Sequence, residues 1–202
     1  MPLPGPPESF LHKRTLIVGD VNSGKTTLTQ KILDAFCREG VGGSIVVLDL
    51  APRIPPEIAA RKGLSGVGGE LIPPAASRLR YLRPTVLPPR LMSQTQDEAV
   101  ELARRNLETI EQLMDRSYLD GETVFLNDVS MYLQAGSARK LLSWLEAFRT
   151  VVANGYMGER LGGGPLSRRE RQQMEELASG FDAVIRLGAP TEIRGGGAQL
   201  QQ

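Results

Sequence analysis

Apolar positions along the chain follow two alternating spacings, which predict strands and helices in turn. Short β-branched and leucine-rich runs such as TLIVG at 15–19 and SIVVLDL at 44–50 are typical of strands buried on both faces. Apolar residues elsewhere recur every three or four positions, the spacing of amphipathic helices. Further strands are predicted at 79–82, 123–130, 150–154 and 182–188, and helices at 25–40, 57–61, from 95, 137–148 and 167–179.

This alternation predicts a three-layer α/β/α sandwich around a mostly parallel sheet, because parallel strands need helical crossovers. We expect one domain over residues 14–190, with a flexible proline-rich arm at 1–13 and a flexible glycine-rich tail at 191–202. Residues 51–92 are rich in proline and glycine and are predicted to form an irregular insertion. Capping boxes at Thr95–Glu98 and Ser167–Glu170 predict two helix starts.

Composition and charge restrict the possible functions only a little. The net charge of +1 predicts no overall attraction to nucleic acid or to an acidic membrane, and a single aromatic residue in the insertion, Tyr81, offers little for stacking bases. The lone cysteine, Cys37, excludes an internal disulfide. No run approaches the roughly 20 apolar residues of a membrane span. We therefore expect a cytoplasmic protein without a membrane span. The sequence gives only weak support for a nucleic-acid partner.

The strongest chemical signal is the sequence VGDVNSGKTTL at 18–28, between the first strand and the first helix. It fits the phosphate-binding pattern G-x-x-x-x-G-K-[ST], whose backbone amides and helix N-terminus attract anions. We expect Lys25 to reach the β- and γ-phosphates of a nucleotide and the Thr26 hydroxyl to ligate Mg²⁺. The loop residues expected to contact the nucleotide are Gly19, Asp20, Val21, Asn22, Ser23, Gly24, Lys25, Thr26 and Thr27.

Two acidic residues follow buried strands, at the edge where ligands bind in such folds. Asp128 ends the run VFLND, which fits the Walker B pattern, and we expect it to hold Mg²⁺ directly or through water. Asp49 ends the run IVVLD on the strand after the first helix. An acid at either position could instead cap a helix or pair with an arginine.

Over residues 16–187 the sequence resembles the P-loop NTPases. Within that superfamily, VVLDLAP at 46–52 is similar to the second-strand Asp of the SIMIBI class, which includes partitioning ATPases, metal-insertion GTPases and polynucleotide kinases. The resemblance implies that Asp49 lies near the γ-phosphate and Mg²⁺ and positions an attacking water or hydroxyl. It also implies that Asn154, which follows a late strand, contacts adenine.

Two departures from these families affect the interpretation. Asp20 occupies the place of the signature Lys of partitioning ATPases, which argues against an identical dimeric ATP sandwich. The guanine-reading N-K-x-D is absent, since the sequence from Asn154 is N-G-Y-M. ATP is therefore favoured over GTP.

The resulting hypothesis is a Mg²⁺-dependent ATPase in which Lys25, Asp49 and Asp128 are catalytic. In this hypothesis a protein partner or a second copy of the chain supplies an arginine. A first alternative is a kinase, with residues 155–167 as a lid and the insertion holding a small-molecule or polynucleotide acceptor. The lid's arginines would be Arg160, Arg168, Arg169 and Arg171. An ordinary exposed loop followed by arginines on a helix surface is the simpler explanation of the same residues. A second alternative is a nucleotide-gated binding module with little turnover.

Overall fold

Six parallel strands form one sheet in a computed structural model that describes residues 2–54, 57, 69–76, 78–116, 121–158 and 164–188. The strands are β1 (Arg14–Gly19), β2 (Ile45–Asp49), β3 (Leu79–Leu82), β4 (Thr123–Asn127), β5 (Thr150–Tyr156) and β6 (Ala183–Leu187). The helices are α1 (Lys25–Glu39), α2 (Pro89–Met92), α3 (Gln96–Arg116), α4 (Ser130–Leu133), α5 (Ala138–Leu145) and α6 (Pro165–Ser179). The predicted α/β class and parallel sheet are confirmed.

The strand order β3-β2-β4-β5-β1-β6 separates β1 from β4 by the intervening strand β5. Neighbouring strands lie about 4.8 Å apart, so the chain leaves β1 and β4 at points about 10 Å from each other. The P-loop follows β1 and Asp128 follows β4. A side chain from β5 can therefore lie between them.

Side chains that alternate along the strands build two separate cores, one on each face of the sheet. Ile17 and Val47 face α1 and pack with Leu28 and Ile32 in one cluster. The opposite cluster joins even-numbered residues of β1, β2 and β4 to apolar residues of α3, α5 and α6. This period-two alternation with helices on both faces gives the three layers.

The first helix begins and ends where its sequence predicts. Gly24 is the residue before α1, and Gly40 ends the helix with a left-handed φ of 68°, which glycine adopts without strain. The capping box that opens α3 is also confirmed. The Glu98 amide donates to the Thr95 hydroxyl at 3.2 Å, and the Thr95 amide donates to the Glu98 carboxylate at 3.3 Å.

Several predicted boundaries were wrong. The strand predicted at 123–130 ends at Asn127, and the one predicted at 150–154 continues to Tyr156. The capping box at Ser167 does not form, because α6 begins at Pro165, a residue favoured at a first helical position. Two short helices, α2 and α4, were not predicted.

The termini and the insertion are partly described. The N-terminal segment differs from the flexible arm expected, since Pro7–Phe10 forms a 3₁₀ turn and Phe10 is buried in the α1-side core. Apart from Glu57, the helix expected at 57–61 lies outside the described residues, as do the tail at 191–202 and residues 159–163 of the expected lid, including Arg160. None of the described helices is both long enough and apolar enough to cross a bilayer.

Candidate functional site

Two glycines shape the loop between β1 and α1 for different reasons. A Cβ on Gly19 would lie 2.5 Å from the Ser23 hydroxyl oxygen and 2.7 Å from the Leu187 carbonyl oxygen, so only glycine allows this approach. Gly24 has open space around it, but its φ of +90° disfavours any other residue. The loop thereby delivers the first turn of α1, with its unbonded amides, to the carboxyl edge of the sheet.

Lys25 lies over its own loop. Its ammonium donates a hydrogen bond to the Asp20 carbonyl oxygen at 2.6 Å. Burial lowers the pKa of Lys25, while the negative charges of Asp128 and Asp20 act in the opposite direction. A partly desolvated cation is strongly attracted to an anion that replaces its lost hydration.

Asp128 reaches the same site from β4. The residue has a left-handed φ of 57°, which turns the chain out of the strand. Its carboxylate accepts a hydrogen bond from the Ser130 hydroxyl. Burial raises the pKa of Asp128, although Ser130 and Lys25 both stabilise its charged form.

The oxygens of Thr26 and Asp128 suit Mg²⁺, which prefers hard oxygen ligands and retains several waters. The Thr26 hydroxyl donates a long hydrogen bond of 3.4 Å to the Asn127 side-chain oxygen. This donation directs the proton away from the cavity and leaves the oxygen lone pairs of Thr26 available. Thr26 and Asp128 both line one cavity. The residues present therefore fit the metal that the sequence predicts.

The oxygens of the Asp49 carboxylate accept hydrogen bonds from groups of the protein itself. It is fully buried and, among the described residues, accepts four hydrogen bonds. The donors are the Ala51 amide at 3.0 Å, the Leu71 amide at 2.8 Å, the Tyr81 hydroxyl at 2.9 Å and the Asn127 side-chain amide at 2.7 Å. Such a carboxylate fixes backbone and side chains around it, and Asp49 is not among the described residues that line the cavity shared by Thr26 and Asp128.

Asn127 and Asn154 connect Asp49 to the P-loop helix. The Asn127 amide nitrogen donates to Asp49 and, at 2.9 Å, to the Gly69 carbonyl. The Asn154 amide nitrogen donates to the Asn127 oxygen and to the Thr29 hydroxyl, both at 2.8 Å. Both amide hydrogens of Asn154 are thus engaged beneath the loop, an arrangement that does not favour the adenine contact that the resemblance implied.

A cavity of about 620 Å³ opens at this edge. Of the residues predicted to bind nucleotide or metal, those that line it are Val21, Asn22, Gly24, Lys25, Thr26, Thr27, Asp128 and Asn154. The described residues that line it do not include four of the predicted residues, Gly19, Asp20, Ser23 and Asp49. Asn127 was missed by the sequence analysis, and its only signal was a polar residue ending an apolar strand.

A partly buried ion pair that interacts with Asp128 was also missed. Arg90 of α2 pairs with Glu170 of α6 at 3.0 Å, and the Gln134 amide donates to the same carboxylate at 2.8 Å. Burial raises the pKa of Glu170 even though the Arg90 charge opposes that shift. The Ser167 hydroxyl, predicted to cap α6, instead accepts from the Arg90 guanidinium at 3.3 Å.

No protein-family model matches the chain, and no curated protein matches it in sequence. Among solved structures, the chain is similar to the crystal structure of the flagellar accessory protein FlaH from Methanocaldococcus jannaschii. The two are 12% identical with a TM-score of 0.47, over 87% of this chain and 71% of that one. A likeness this distant concerns the arrangement of the backbone and says nothing of function.

The parallel sheet and the loop between β1 and α1 fit the P-loop NTPase fold. The finer resemblance to the SIMIBI class is not supported. It implied that the Asp49 carboxylate approaches the γ-phosphate, whereas that carboxylate is enclosed by four donors of the protein itself. Segment 69–72 is the reason that Asp49 is enclosed, because it folds back over the end of β2 and brings the Leu71 amide to the Asp49 carboxylate.

Proposed function

We propose that this protein binds a nucleoside triphosphate together with Mg²⁺ and hydrolyses it, with ATP preferred to GTP. The observation that supports the proposal is the convergence of Lys25, Thr26 and Asp128 on one cavity at the carboxyl edge of a parallel sheet. Lys25 and Thr26 begin the helix after β1, and Asp128 follows β4, a strand that is not a neighbour of β1. A glycine turn with a surface lysine would not require such convergence.

The loop and Lys25 bind the phosphates. The amides of the first turn of α1 have no partner within the helix and point to the cavity end, where they favour negative charge. Lys25 exchanges its hydrogen bond with the Asp20 carbonyl for one with a phosphate oxygen. Because burial has already removed part of its hydration, this exchange costs little additional desolvation.

Thr26 and Asp128 are the residues that would hold Mg²⁺, which neutralises phosphate charge when bound. Asn127 accepts the Thr26 hydroxyl proton in a hydrogen bond, so the lone pairs of that oxygen would be available to the metal. Asp128 borders the cavity, so its carboxylate is placed to orient a water, directly or beside the metal. Asp49 acts indirectly, because its carboxylate accepts a hydrogen bond from Asn127, and Asn127 in turn accepts one from Thr26.

The preference for ATP rests on the sequence from Asn154, which lacks the N-K-x-D that reads guanine. The structure offers no substitute at that position, since Asn154 is 1% exposed.

Calorimetric titration of ATP and GTP with Mg²⁺, followed by phosphate release from the nucleotide that binds, tests the proposal. We expect Lys25→Ala to weaken ATP binding by about tenfold or more, because a hydrogen bond to a charged group contributes about 1.5–3 kcal/mol. Lys140→Ala is the matched control, since Lys140 is exposed on α5 and far in sequence from the loop. Full affinity in Lys25→Ala would overturn the proposal. Binding with little phosphate release would leave the kinase and the nucleotide-gated alternatives, which a screen of phosphate acceptors would then separate.

A further inference from the structure

Segment 69–72 lies against Thr26, the residue assigned to the metal. A Cβ on Gly69 would lie 3.5 Å from the Thr26 methyl carbon and 3.7 Å from the Thr26 hydroxyl oxygen, which is ordinary van der Waals contact. Gly69 and Thr26 also line the same cavity. The segment is therefore at the end of the site where Mg²⁺ and the terminal phosphate would be held.

Two residues at the ends of neighbouring strands hold the start of this segment. The Gly69 carbonyl accepts a hydrogen bond from the side-chain amide of Asn127, the last residue of β4, at 2.9 Å. The Leu71 amide donates to the carboxylate of Asp49, the last residue of β2, at 2.8 Å. The Asn127 amide nitrogen also donates to Asp49 at 2.7 Å. The two strand ends and the segment thus form one hydrogen-bonded unit.

Asn127 joins that unit to the metal ligand. Its side-chain oxygen accepts from the Thr26 hydroxyl at 3.4 Å and from the Asn154 amide at 2.8 Å, while its nitrogen donates to Asp49 and Gly69. An aspartate at this position could also accept from Thr26. It would, however, have no donor for the Gly69 carbonyl, and it would place a second negative charge beside Asp49. An amide is therefore the side chain that connects Thr26 to the segment.

This connection depends on what the Thr26 oxygen binds. A hydroxyl that coordinates a cation is a stronger hydrogen-bond donor, because the cation withdraws electron density from the O–H bond. An amide group that accepts more strongly at its oxygen donates more strongly through its nitrogen, since hydrogen bonds in a chain polarise one another. The bond from Asn127 to the Gly69 carbonyl therefore strengthens when Thr26 is a metal ligand. By linkage, a firmly held segment favours the metal in return.

We propose that segment 69–72 responds to the metal site: its backbone is held more firmly when Mg²⁺ and nucleotide are bound at Thr26, and Asn127 is the positioning residue that couples the two. The inference rests on the proposed function, since it requires Mg²⁺ at Thr26. The side chains of Glu70 and Ile72 are exposed on this segment. The occupancy of the metal site thereby reaches the protein surface, which the nucleotide-gated alternative requires.

Amide hydrogen exchange of the full chain, followed by NMR, tests the coupling at single residues. The ligand is the β,γ-imido analogue of ATP, which resists hydrolysis, at saturating concentration with either Mg²⁺ or EDTA. We expect the Leu71 and Ile72 amides to exchange at least about fivefold more slowly with Mg²⁺, since couplings between sites commonly amount to about 5- to 150-fold. The Ala138 amide is the reference. It is likewise held by a side chain, the Gln173 oxygen at 2.7 Å, but Ala138 belongs to the core on the other face of the sheet from α1.

Gln30→Ala provides a second and independent measurement. The Gln30 side-chain nitrogen donates to the Ile72 carbonyl and its oxygen accepts from the Ile72 amide, both at 2.8 Å, so its removal loosens the segment from α1. We expect the ratio of nucleotide affinity with Mg²⁺ to nucleotide affinity without it to fall several-fold, as linkage requires. Gln173→Ala removes the matched bond to Ala138 and should leave that ratio unchanged. Calorimetric titration measures both affinities, and thermal unfolding checks that both variants are folded.

The paired substitution of Asp49→Asn with Asn127→Asp tests Asn127 itself. It keeps one negative charge and one hydrogen bond between the two side chains, and position 127 can still accept from Thr26. It removes the donor to the Gly69 carbonyl. We expect Mg²⁺ to be bound by this variant without slowing the exchange of the Leu71 amide. Slowing of the wild-type size would show that the coupling does not pass through Asn127.

The outcomes separate this inference from the proposed function. If the wild-type protein binds the nucleotide neither with Mg²⁺ nor without it, the proposed function is wrong and the coupling is wrong with it. If the nucleotide binds with Mg²⁺ but Leu71 and Ile72 exchange at the same rate in Mg²⁺ and EDTA, relative to Ala138, the phosphate site is retained and the coupling is overturned. An unchanged affinity ratio in a folded Gln30→Ala variant would also overturn it.

Discussion

Asp49 and Asp128 each come at the end of a buried strand, but their carboxylates meet different neighbours. Asp49 accepts four hydrogen bonds from backbone amides, a tyrosine hydroxyl and an asparagine amide, and is fully buried. Asp128 is half-buried, borders the cavity and accepts from Ser130. At the scale of single residues, one acid therefore maintains the geometry of the site and the other is available to a ligand.

This difference predicts opposite effects for the same substitution. Asp49→Asn should lower the free energy of unfolding by about 2 kcal/mol, because its new amide group would face hydrogen-bond donors. Asp128→Asn should keep the stability of the wild type and lose phosphate release. Urea denaturation and a phosphate-release assay on both variants are the measurements. A stable Asp49→Asn protein that lacks activity would assign the catalytic role to Asp49 after all.

At the scale of elements, a capping-box pattern predicted the start of a helix correctly where no nearby residue offered another start. The capping box at Thr95 forms because both of its partners lie in one exposed turn. The equivalent pattern at Ser167 does not, because Pro165 begins the helix earlier and the Ser167 hydroxyl accepts from Arg90. One local signal therefore overrode another, and the Ser167 hydroxyl bonds to a residue of α2 that is 77 positions away in the chain.

The loop before α1 allows a prediction at this same scale. Gly24→Ala should cost about 1–2 kcal/mol of stability, since the residue has a left-handed φ of +90° and no steric conflict otherwise. Gly19→Ala should cost more, because its Cβ would meet the Leu187 carbonyl oxygen and force β1 and β6 apart. Thermal denaturation should rank the variants in that order. Gly188→Ala, with no atom within 4 Å of the added Cβ, is the control.

At the scale of the whole molecule, the charges on the carboxyl side of the sheet form a connected set. Lys25 and Arg90 both favour the charged form of Asp128, while the negative charge of Asp49 disfavours it. The negative charge of Asp128 in turn disfavours the charged form of Glu170. Burial is the largest influence on Asp128 and on Glu170, and it raises the pKa of both carboxyls. Folding therefore removes water from these carboxylates at a cost in free energy. Because that cost applies to the charged forms, the free energy of unfolding depends on pH.

The sign of that dependence is testable at Glu170. Because its pKa is higher in the folded state than in the unfolded state, the folded protein binds its proton more tightly, and the resulting stability is lost as pH rises above the ordinary value near 4.5. We expect Glu170→Gln to remove part of the fall in unfolding free energy between about pH 4.5 and 7, by at most about 1.4 kcal/mol per pH unit. Denaturation at several pH values measures this slope. Equal slopes in wild type, Glu170→Gln and the exposed-helix control Glu175→Gln would contradict it.

The sequence by itself determined the strands, most helices, the parallel α/β class and the position of the P-loop. Each of these depends on short-range information: the period of apolar positions, glycine where a turn needs it, and a strand leading directly into a helix. Asp128 was also found in this way, because a buried strand that ends in an acid is a local pattern. Asp128 lines the same cavity as Lys25, and its role stays a prediction.

Only the tertiary structure decided which polar side chains meet. The strand order puts β5 between β1 and β4, so Asn154 lies under the P-loop and Asn127 joins Thr26 to Asp49. The return of segment 69–72 over β2 encloses Asp49 and builds the second wall of the cavity. These contacts join residues up to 125 positions apart. Local spacing contains no information about such pairs, because they depend on the order in which strands pack and on where the chain crosses their ends.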